Sequence, residues 1–362
     1  MTESKSHVPP GTTDHHIAQV RGVTAEVTQQ TRERATELLA EIMPPNLPII
    51  PDSVGWHLAS AKMAQGGLLL FAEVEDAPGQ EGIFADGERK LVIAKLLPRD
   101  PSENRTMWRN REIAQTKRAG EAVPDGVVRT LAHKLMIDKD DSMGLLVSKW
   151  YSRGSLREAL LNTTKTRAQT LEFAERSGRT LTALHSIKPP AIIHNDIKPA
   201  NFLINADGEA DYADFDLAST VKLDGDSYGE PPYASPEGLL RAIQRSRSDV
   251  FSWNTVVYQM VAGDLRQSPY PGYDATYPYM DRQARTQGVK DLINIRENNM
   301  TPTAEWTYTP IIFTPDMEQR GFTPHTVNAV NEALVQGLRL IEDERLNTPD
   351  STAMMAEALN IT

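Results

Sequence analysis

The chain has 362 residues, of which 40% are hydrophobic and 24% are charged, a balance typical of globular proteins and not of disordered or collagen-like ones. At about 150 residues per domain, this length predicts two compact units or one larger bilobal unit. Lys and Arg number 38 against 49 Asp and Glu, and the resulting net charge of −11 disfavours nucleic acid as a partner. The chain has no cysteine, which excludes disulfides, thiolate zinc sites and thiol nucleophiles.

Residues 1–25 are polar and show no hydrophobic periodicity, which predicts a flexible tail. They lack the apolar core of a secretory signal, and no run in the chain approaches the roughly 18 apolar residues of a membrane span. These features predict a cytoplasmic protein without a membrane-spanning segment. In the following extension, residues 26–52, Leu38, Leu39 and Ile42 recur at helical spacing and predict a helix that ends before two prolines.

Strand patterns dominate the next part of the chain. Apolar runs at 68–71 and 91–95 predict strands of a small antiparallel sheet, and residues 144–147 predict another short buried strand. Between them, residues 101–119 return to helical spacing.

Helical segments dominate beyond about residue 155, interrupted by short strand-like pieces at 202–204 and 211–213. A strand-rich first part followed by a helix-rich second part predicts an α+β protein with two lobes.

The most informative segment, residues 193–202, reads Ile-His-Asn-Asp-Ile-Lys-Pro-Ala-Asn-Phe, and Asp214-Phe215-Asp216 follows 18 residues after Asp196. These segments resemble the catalytic loop and the metal-binding turn of the eukaryotic-type Ser/Thr protein kinases. The family pattern is His-Arg-Asp, with Lys two residues on and Asn five residues on, and then Asp-Phe-Gly. Asn195 stands here in place of the Arg, and Asp216 in place of the Gly.

The resemblance implies ATP- and Mg²⁺-dependent transfer of a phosphoryl group to Ser or Thr hydroxyls of a protein substrate. Asp196 would orient the acceptor hydroxyl and accept its proton, and Lys198 would stabilise the transferred phosphate. Asn201 and Asp214 would hold the metal, because magnesium prefers oxygen ligands. A Lys at position 198 is typical of the Ser/Thr and not of the Tyr kinases.

Upstream, Val92-Ile93-Ala94-Lys95 resembles the family strand whose Lys binds the α- and β-phosphates and is held by a Glu on the next helix. Glu112, 17 residues on, is the favoured partner of Lys95. The alternative, Glu103, lies near the predicted helix start, where a carboxylate interacts favourably with the helix dipole.

The phosphate-covering loop departs from the family. The family uses Gly-x-Gly-x-x-Gly, and this chain has Ala59, Ala61 and Ala64 at the glycine positions, followed by Gly66 and Gly67. Alanine keeps the loop small but does not readily adopt positive φ. The sequence leaves open a loop that binds ATP loosely, a loop whose tip is the Gly-Gly pair, and an ordinary hairpin without a ligand.

The segment around residues 148–152 resembles the hinge between kinase lobes. The backbone of Lys149 and Tyr151 would then hydrogen-bond to adenine, with Ser148 as the small residue in front of the back pocket. The alternative is a buried strand that runs into a helix capped by Ser155.

Residues 229–237 resemble the end of the kinase activation segment, with Ser-Pro-Glu in place of Ala-Pro-Glu. The resemblance implies a buried ion pair between Glu237 and Arg345, and a role for Asp249 in bracing the catalytic loop. It covers about residues 53–360.

Three departures from the family carry predictions. Asn195 cannot bind a phosphorylated residue as the family Arg does, which predicts activity without activating phosphorylation. Asp216 is expected to be a neutral or stiffening replacement, with an additional carboxylate near magnesium as the alternative. Glu230 replaces a Thr found in many Ser/Thr kinases, and either pairs with Lys198 or favours a basic substrate.

The sequence therefore predicts a bilobal α+β protein-kinase-like fold and a Ser/Thr protein kinase. Two alternatives stay open: a pseudokinase that acts as a binding or scaffold protein, and a small-molecule phosphotransferase. The predicted parts are a tail (1–25), a helical extension (26–52), an N-lobe (53–147), a hinge (148–152) and a C-lobe (153–362).

Overall fold

The structure is a computed structural model, and it describes part of the chain. The described residues are 37–43, 55–58, 68–73, 91–98, 103–136, 143–188, 191–219, 230, 233–240, 243–271, 291, 294–295, 298, 300–302 and 306–361. Residues 37–42 are helical, and Leu38 and Leu39 are buried, as their spacing predicts. The predicted tail lies outside the described residues.

The chain divides into two compact units. One draws on Met1–Glu121 and Val128–Ser152, and the other on Ala122–Val127 and Arg153–Thr362.

The first unit is built on a five-stranded antiparallel sheet with the order β1-β2-β3-β5-β4. The strands are β1 (Gly55–Leu58), β2 (Leu68–Glu73), β3 (Leu91–Pro98), β4 (Thr130–Lys134) and β5 (Met143–Lys149). The small antiparallel sheet predicted from the sequence is thereby confirmed. Val92 and Ala94 on β3, and Leu145 and Val147 on β5, are fully buried, because alternate side chains of adjacent strands share one face.

One long helix, α1 (Glu103–Ala122), accompanies this sheet. It begins two residues later and ends three residues later than the predicted helix over 101–119. Gly144 on β5 allows the helix to approach, because a Cβ there would lie 2.9 Å from Cδ1 of Ile113. Asn110 fixes the helix further, since its side chain bonds both the N–H and the carbonyl of Met136, each at 2.8 Å.

The second unit is mostly helical. Its helices are α2 (Leu156–Asn162), α3 (Arg167–Ser186), α4 (Pro236–Leu239), α5 (Ser246–Ala262), α6 (Pro315–Gln319), α7 (Pro324–Gly337) and α8 (Thr348–Asn360). A hairpin of β6 (Phe202–Ile204) and β7 (Ala210–Tyr212) interrupts them, and short 3₁₀ turns lie at Pro199–Asn201 and Glu342–Glu344. Ser155 caps α2 through a capping box. The helix-rich second part predicted from the sequence is confirmed.

Helix α5 lies at the centre of the second unit, and nearly all of its side chains are buried, as expected of a helix that is packed on every side. Trp253 on α5 donates its indole N–H to Oγ of Ser177 at 2.8 Å, and the Tyr212 hydroxyl donates to the Ser177 carbonyl at 3.1 Å. Gly337 on α7 leaves room for Asn254, because a Cβ at position 337 would clash with the Asn254 amide. This packing makes α5 a rigid support for the loop that precedes β6.

Candidate active site

Asp249 on α5 anchors the loop that carries the predicted catalytic residues. Its Oδ2 accepts the backbone N–H of His194 at 2.7 Å, and its Oδ1 accepts the N–H of Asn195 at 2.8 Å. The same Oδ2 lies 2.8 Å from Nε2 of His185 at the end of α3. Since Asp249 is only 1% exposed, these bonds form away from competing water and hold the loop in one geometry. The bracing role predicted for Asp249 is confirmed.

Two residues of the site have left-handed backbone: Asn195 at φ 64° and Asp214 at φ 61°. Among the described residues, no other side-chain-bearing residue has positive φ. Asn and Asp tolerate this conformation better than most residues, but it still costs free energy, and such positions concentrate where function requires a special geometry.

The carboxyl group of Asp196 is held by three donors. Its Oδ2 accepts from Nζ of Lys198 at 2.7 Å and from Nδ2 of Asn201 at 2.9 Å, and its Oδ1 accepts the backbone N–H of Glu230 at 3.2 Å. Burial raises the pKa of the Asp196 carboxyl, and the nearby Lys198 charge opposes this rise without cancelling it. The structure thus brings three of the predicted site residues together around one carboxylate.

Lys198 lies among carboxylates. Its Nζ is 2.7 Å from Asp196 and 3.5 Å from Oε2 of Glu230, so the structure contains the Lys198–Glu230 pair that the sequence offered as one alternative. Burial alone would lower the pKa of Lys198, but the charges of Asp196, Glu230 and Asp214 outweigh it, and the pKa is raised. Lys198 therefore stays protonated at neutral pH.

Asp214 joins the same site through its neighbours. It follows β7, and the N–H of the preceding Ala213 donates to the carbonyl of Asn201 at 2.8 Å. The next residue, Phe215, is fully buried, with its ring centroid 4.7 Å from that of His194. The Asp214 charge raises the pKa of both Asp196 and Lys198, which agrees with two aspartates in one site.

Asp216, in the position of the family glycine, accepts the N–H of Leu217 on its Oδ1 at 2.7 Å. Its φ is not positive, so the backbone here does not require glycine. Such a bond from a side chain to the next backbone N–H stabilises a turn. This contact agrees with the expected stiffening replacement.

Asn195 links the catalytic loop to the segment that follows Asp214. Its Nδ2 donates to the Leu217 carbonyl and to Oγ of Ser219, both at 2.9 Å. Ser219 also exchanges two backbone hydrogen bonds with Ile193, each at 2.8 Å. The short amide at position 195 therefore binds directly to backbone and hydroxyl groups, whereas the family Arg is long enough to reach a phosphate.

In the first unit, Nζ of Lys95 lies 2.6 Å from Oε1 of Glu112. The predicted partner of Lys95 is confirmed, and Glu103 opens helix α1, as expected for the alternative residue. Because β3 carries Lys95 and α1 carries Glu112, the pair connects the sheet to the helix. The two side chains are 24% and 7% exposed, which leaves the ammonium partly open to solvent.

Lys149 is the last residue of β5, where it lies opposite Val92 of β3, and Tyr151 follows it as a buried side chain. Their predicted contact with adenine concerns a bound nucleotide and stays a prediction. The predicted phosphate loop, with Ala59, Ala61 and Ala64, lies outside the described residues.

The predicted ion pair between Glu237 and Arg345 is confirmed. The guanidinium donates from Nη1 and Nη2 to the two carboxylate oxygens at 2.7 and 2.9 Å, and neither side chain is exposed. Burial alone would raise the pKa of Glu237, but the Arg345 charge outweighs burial and lowers it to about 2. Arg345 also donates to the carbonyls of Arg339 and Arg247, so its donors are shared between the pair and the backbone.

Sequence reasoning missed two participants in the site. His185 contacts Asp249, and Ser219 accepts from Asn195. Both are common residue types outside the recognised motifs, and only their spatial neighbours distinguish them.

A two-unit α+β fold, in which a Lys and an Asn donate to the carboxylate of one Asp beside an Asp-Phe turn, defines the protein kinase class. The family described as Protein kinase domain matches residues 85–313, and the chain belongs to this family. The resemblance stated from the motifs is thereby confirmed.

Several plant kinases are similar to the chain. It is 25% identical over 215 residues to a probable LRR receptor-like protein kinase of Arabidopsis thaliana, covering 54% of this chain and 24% of that protein. It is 26% identical over 185 residues to the serine/threonine-protein kinase PBL34 of the same plant, covering 49% of this chain and 36% of that protein. It is 30% identical over 144 residues to the plant's mitogen-activated protein kinase kinase 1, covering 38% and 40%. The chain thus spans less than half the length of these relatives.

Within the part of the chain that the structure describes, no helix combines the length and the apolar character needed to cross a membrane.

Proposed function

We propose that the chain is an ATP- and Mg²⁺-dependent protein kinase that transfers the γ-phosphoryl group to Ser or Thr hydroxyls of protein substrates. The observation that carries this proposal is the Asp196 carboxylate, which Lys198, Asn201 and the backbone of Glu230 hold in one orientation. Phosphoryl transfer requires mainly positioning and charge stabilisation from the protein, and a fixed, buried carboxylate beside a cation supplies both.

Asp196 is the proposed base. The acceptor hydroxyl donates its proton to the Asp196 carboxylate as the hydroxyl oxygen bonds to the γ-phosphorus and the bond to the ADP oxygen breaks. Burial raises the pKa of Asp196, which strengthens it as a base, and the nearby Lys198 charge opposes this rise. Lys198 is the proposed cation for the charge on the transferred group.

The residues near Asp196 fit a magnesium ion. Asn201 donates its Nδ2 to Asp196, which turns its amide oxygen the other way, and Asp214 adds a carboxylate. Within the described residues, no three His, Asp or Glu side chains gather as a protein-only metal site. Magnesium does not require such a protein-only site, because the ion is commonly held by one or two protein oxygens together with nucleotide phosphates and water. When bound, magnesium would neutralise phosphate charge.

The remaining nucleotide contacts are proposed from the family. Lys95, oriented by Glu112, would bind the α- and β-phosphates, and the backbone of Lys149 and Tyr151 would bind adenine. Residues 59–64 would cover the phosphates, and residues 148–152 would form the hinge between an N-lobe and a C-lobe. The Lys95–Glu112 distance of 2.6 Å supports the first of these assignments.

Two features favour a protein acceptor over a small alcohol. Lys198 pairs with the proposed base as in Ser/Thr kinases, and the Glu237–Arg345 pair fixes the end of the segment that approaches protein substrates in this family. The Lys198 contact bears on the transfer reaction, and the Glu237–Arg345 pair bears on the surface on which a polypeptide would lie.

The test is turnover of radiolabelled ATP with magnesium, measured on a Ser/Thr peptide library for the wild type, Asp196→Asn and Asp214→Asn. We expect both variants to lose about 100-fold or more of the transfer rate, because each removes a charged group from the reaction centre. Equal signals from wild type and variants would indicate contaminating activity and contradict the proposal. Nucleotide binding without transfer would indicate a pseudokinase, and transfer only to small alcohols would indicate a small-molecule phosphotransferase.

A further inference from the structure

Glu230 has a backbone that is fixed on both sides. Its N–H donates to Oδ1 of Asp196 at 3.2 Å, and its carbonyl accepts the N–H groups of Tyr233 and Ala234 at 2.8 and 2.9 Å. The neighbouring Tyr233 is buried, and its hydroxyl donates to Oε1 of Gln259 on α5 at 3.0 Å. These hydrogen bonds therefore fix the position of the Glu230 backbone, and with it the base of its side chain, beside Asp196.

The carboxylate of Glu230 is only partly neutralised. Its Oε2 lies 3.5 Å from Nζ of Lys198, whereas the same Nζ lies 2.7 Å from Asp196, so Lys198 is engaged mainly by Asp196. Among the described residues, no other cation forms an ion pair with Glu230. The Glu230 side chain is 48% exposed, so an incoming group can reach it from solvent.

The proposed reaction weakens even this neutralisation. Lys198 would turn toward the transferred phosphate, and Glu230 would then keep a half-buried negative charge without its cation. A cationic side chain on the acceptor would restore the balance at that moment. Such an interaction contributes to transition-state binding, because it strengthens as Lys198 leaves.

The position of Glu230 relative to the acceptor follows from Asp196. The acceptor hydroxyl must lie within hydrogen-bond distance of the Asp196 carboxylate, and the Glu230 backbone is itself one hydrogen bond from that group. The Glu230 side chain is thus within reach of residues adjacent to the acceptor Ser or Thr.

We propose that Glu230 is a specificity-determining residue that selects acceptor segments with an Arg or Lys close to the phosphorylated Ser or Thr. This inference rests on the proposed kinase function. The Glu230 carboxylate then has both roles that the sequence offered as alternatives, first as a weak partner of Lys198 and then as a partner of a basic substrate.

The experiment compares Ser peptides that carry one Arg at each flanking position in turn with counterparts in which neutral citrulline replaces the Arg. Citrulline keeps the shape of Arg and removes its charge. We expect wild type to prefer one or more Arg peptides by roughly tenfold in kcat/KM, the size of a charge-assisted hydrogen bond. Glu230→Gln should reduce this preference to within about twofold, and Glu230→Thr, the family residue, should do the same.

Glu175→Gln is the matched control, because Glu175 is an exposed carboxylate on α3 in the same unit and should leave the Arg preference unchanged. An Arg preference that persists in Glu230→Gln and Glu230→Thr, or a wild type without any preference, would overturn the inference while leaving the kinase function intact. A wild type that phosphorylates no peptide at all would overturn both.

Discussion

Two ion pairs of this protein differ in how deeply they are buried, and the difference suits them to different roles. Glu237 and Arg345 are both fully buried and joined by two hydrogen bonds, and Arg345 also bonds two backbone carbonyls. Lys95 and Glu112 share one short contact, and the Lys side chain is 24% exposed. A buried bidentate pair cannot exchange partners without leaving a charge unpaired. A partly exposed ammonium, in contrast, can donate hydrogen bonds to a phosphate. The first pair therefore maintains the fold, and the second is suited to bind a ligand.

The largest effect on stability is expected from breaking the buried Glu237–Arg345 pair. Arg345→Ala should lower the free energy of unfolding of the second unit by about 3–5 kcal/mol, because it leaves the Glu237 carboxylate buried without its cation. Denaturant unfolding followed by far-UV circular dichroism measures this change. The double variant Glu237→Met with Arg345→Leu is the control, and it should recover part of the loss because it leaves no unpaired charge. Equal losses in the single and double variants would contradict the assignment.

The second-largest effect is expected from acid, which should lower the free energy of unfolding by protonating Glu237. The pKa of Glu237 is lowered from its ordinary 4.5 to about 2 in the folded protein, so folding favours the charged form. Its contribution is complete above the unfolded value and is lost as the pH falls from 4.5 toward 2, a total of a few kcal/mol. Unfolding free energies measured across this range should fall more steeply for wild type than for Glu237→Gln. Parallel pH curves for the two proteins would show that Glu237 is not the titrating group.

An intermediate effect is expected at Asn195, which links the catalytic loop to Leu217 and Ser219. Asn195→Gly removes both hydrogen bonds and keeps a residue that accepts φ 64°, so it should cost about 1–2 kcal/mol. Asn195→Ala should cost roughly 1 kcal/mol more, because alanine is strained at this φ. Thermal unfolding of the two variants separates the contacts from the strain, and equal stabilities would argue against strain at this position.

The same contacts predict that turnover does not need activating phosphorylation. Asn195 holds the segment after Asp214 through backbone and hydroxyl groups, without a phosphate. Phosphatase treatment of the purified protein should therefore leave the rate of peptide phosphorylation unchanged within about twofold. Loss of turnover after treatment would show that a phosphate completes the segment.

The smallest change in stability is expected at the Lys95–Glu112 pair. Lys95→Met should lower the free energy of unfolding by about 1 kcal/mol, less than Arg345→Ala does, because the Lys95 ammonium is partly exposed although Glu112 is buried. Its effect on ATP turnover should be large if Lys95 binds the phosphates as proposed. Measuring both on one preparation tests the comparison directly, because a stability loss as large as that of Arg345→Ala would make the Lys95–Glu112 pair structural.

The sequence predicted much of the fold because much of it is local. Apolar periodicity located three of the five strands of the first sheet, β2, β3 and β5, and the helix that carries Glu112. Motif spacing located Asp196, Lys198, Asn201 and Asp214. The end of α1 was harder to place, because the last turn of a helix depends on its packing as much as on residue type. The roles of Ala59, Ala61 and Ala64 lie outside the described residues and stay predictions.

The tertiary structure alone decided how the site residues share their partners. The sequence offered the Lys198–Glu230 pair only as one of two alternatives, and the structure shows Lys198 in contact with both Asp196 and Glu230. The contacts of Asn195 with Ser219 and of His185 with Asp249 could not be read from the residue order. Periodicity and motif spacing report interactions between near neighbours and the chemistry that a loop requires. The choice among several carboxylates for one ammonium depends on burial and on distances across the fold, which exist only once α5 has packed and positioned the loop.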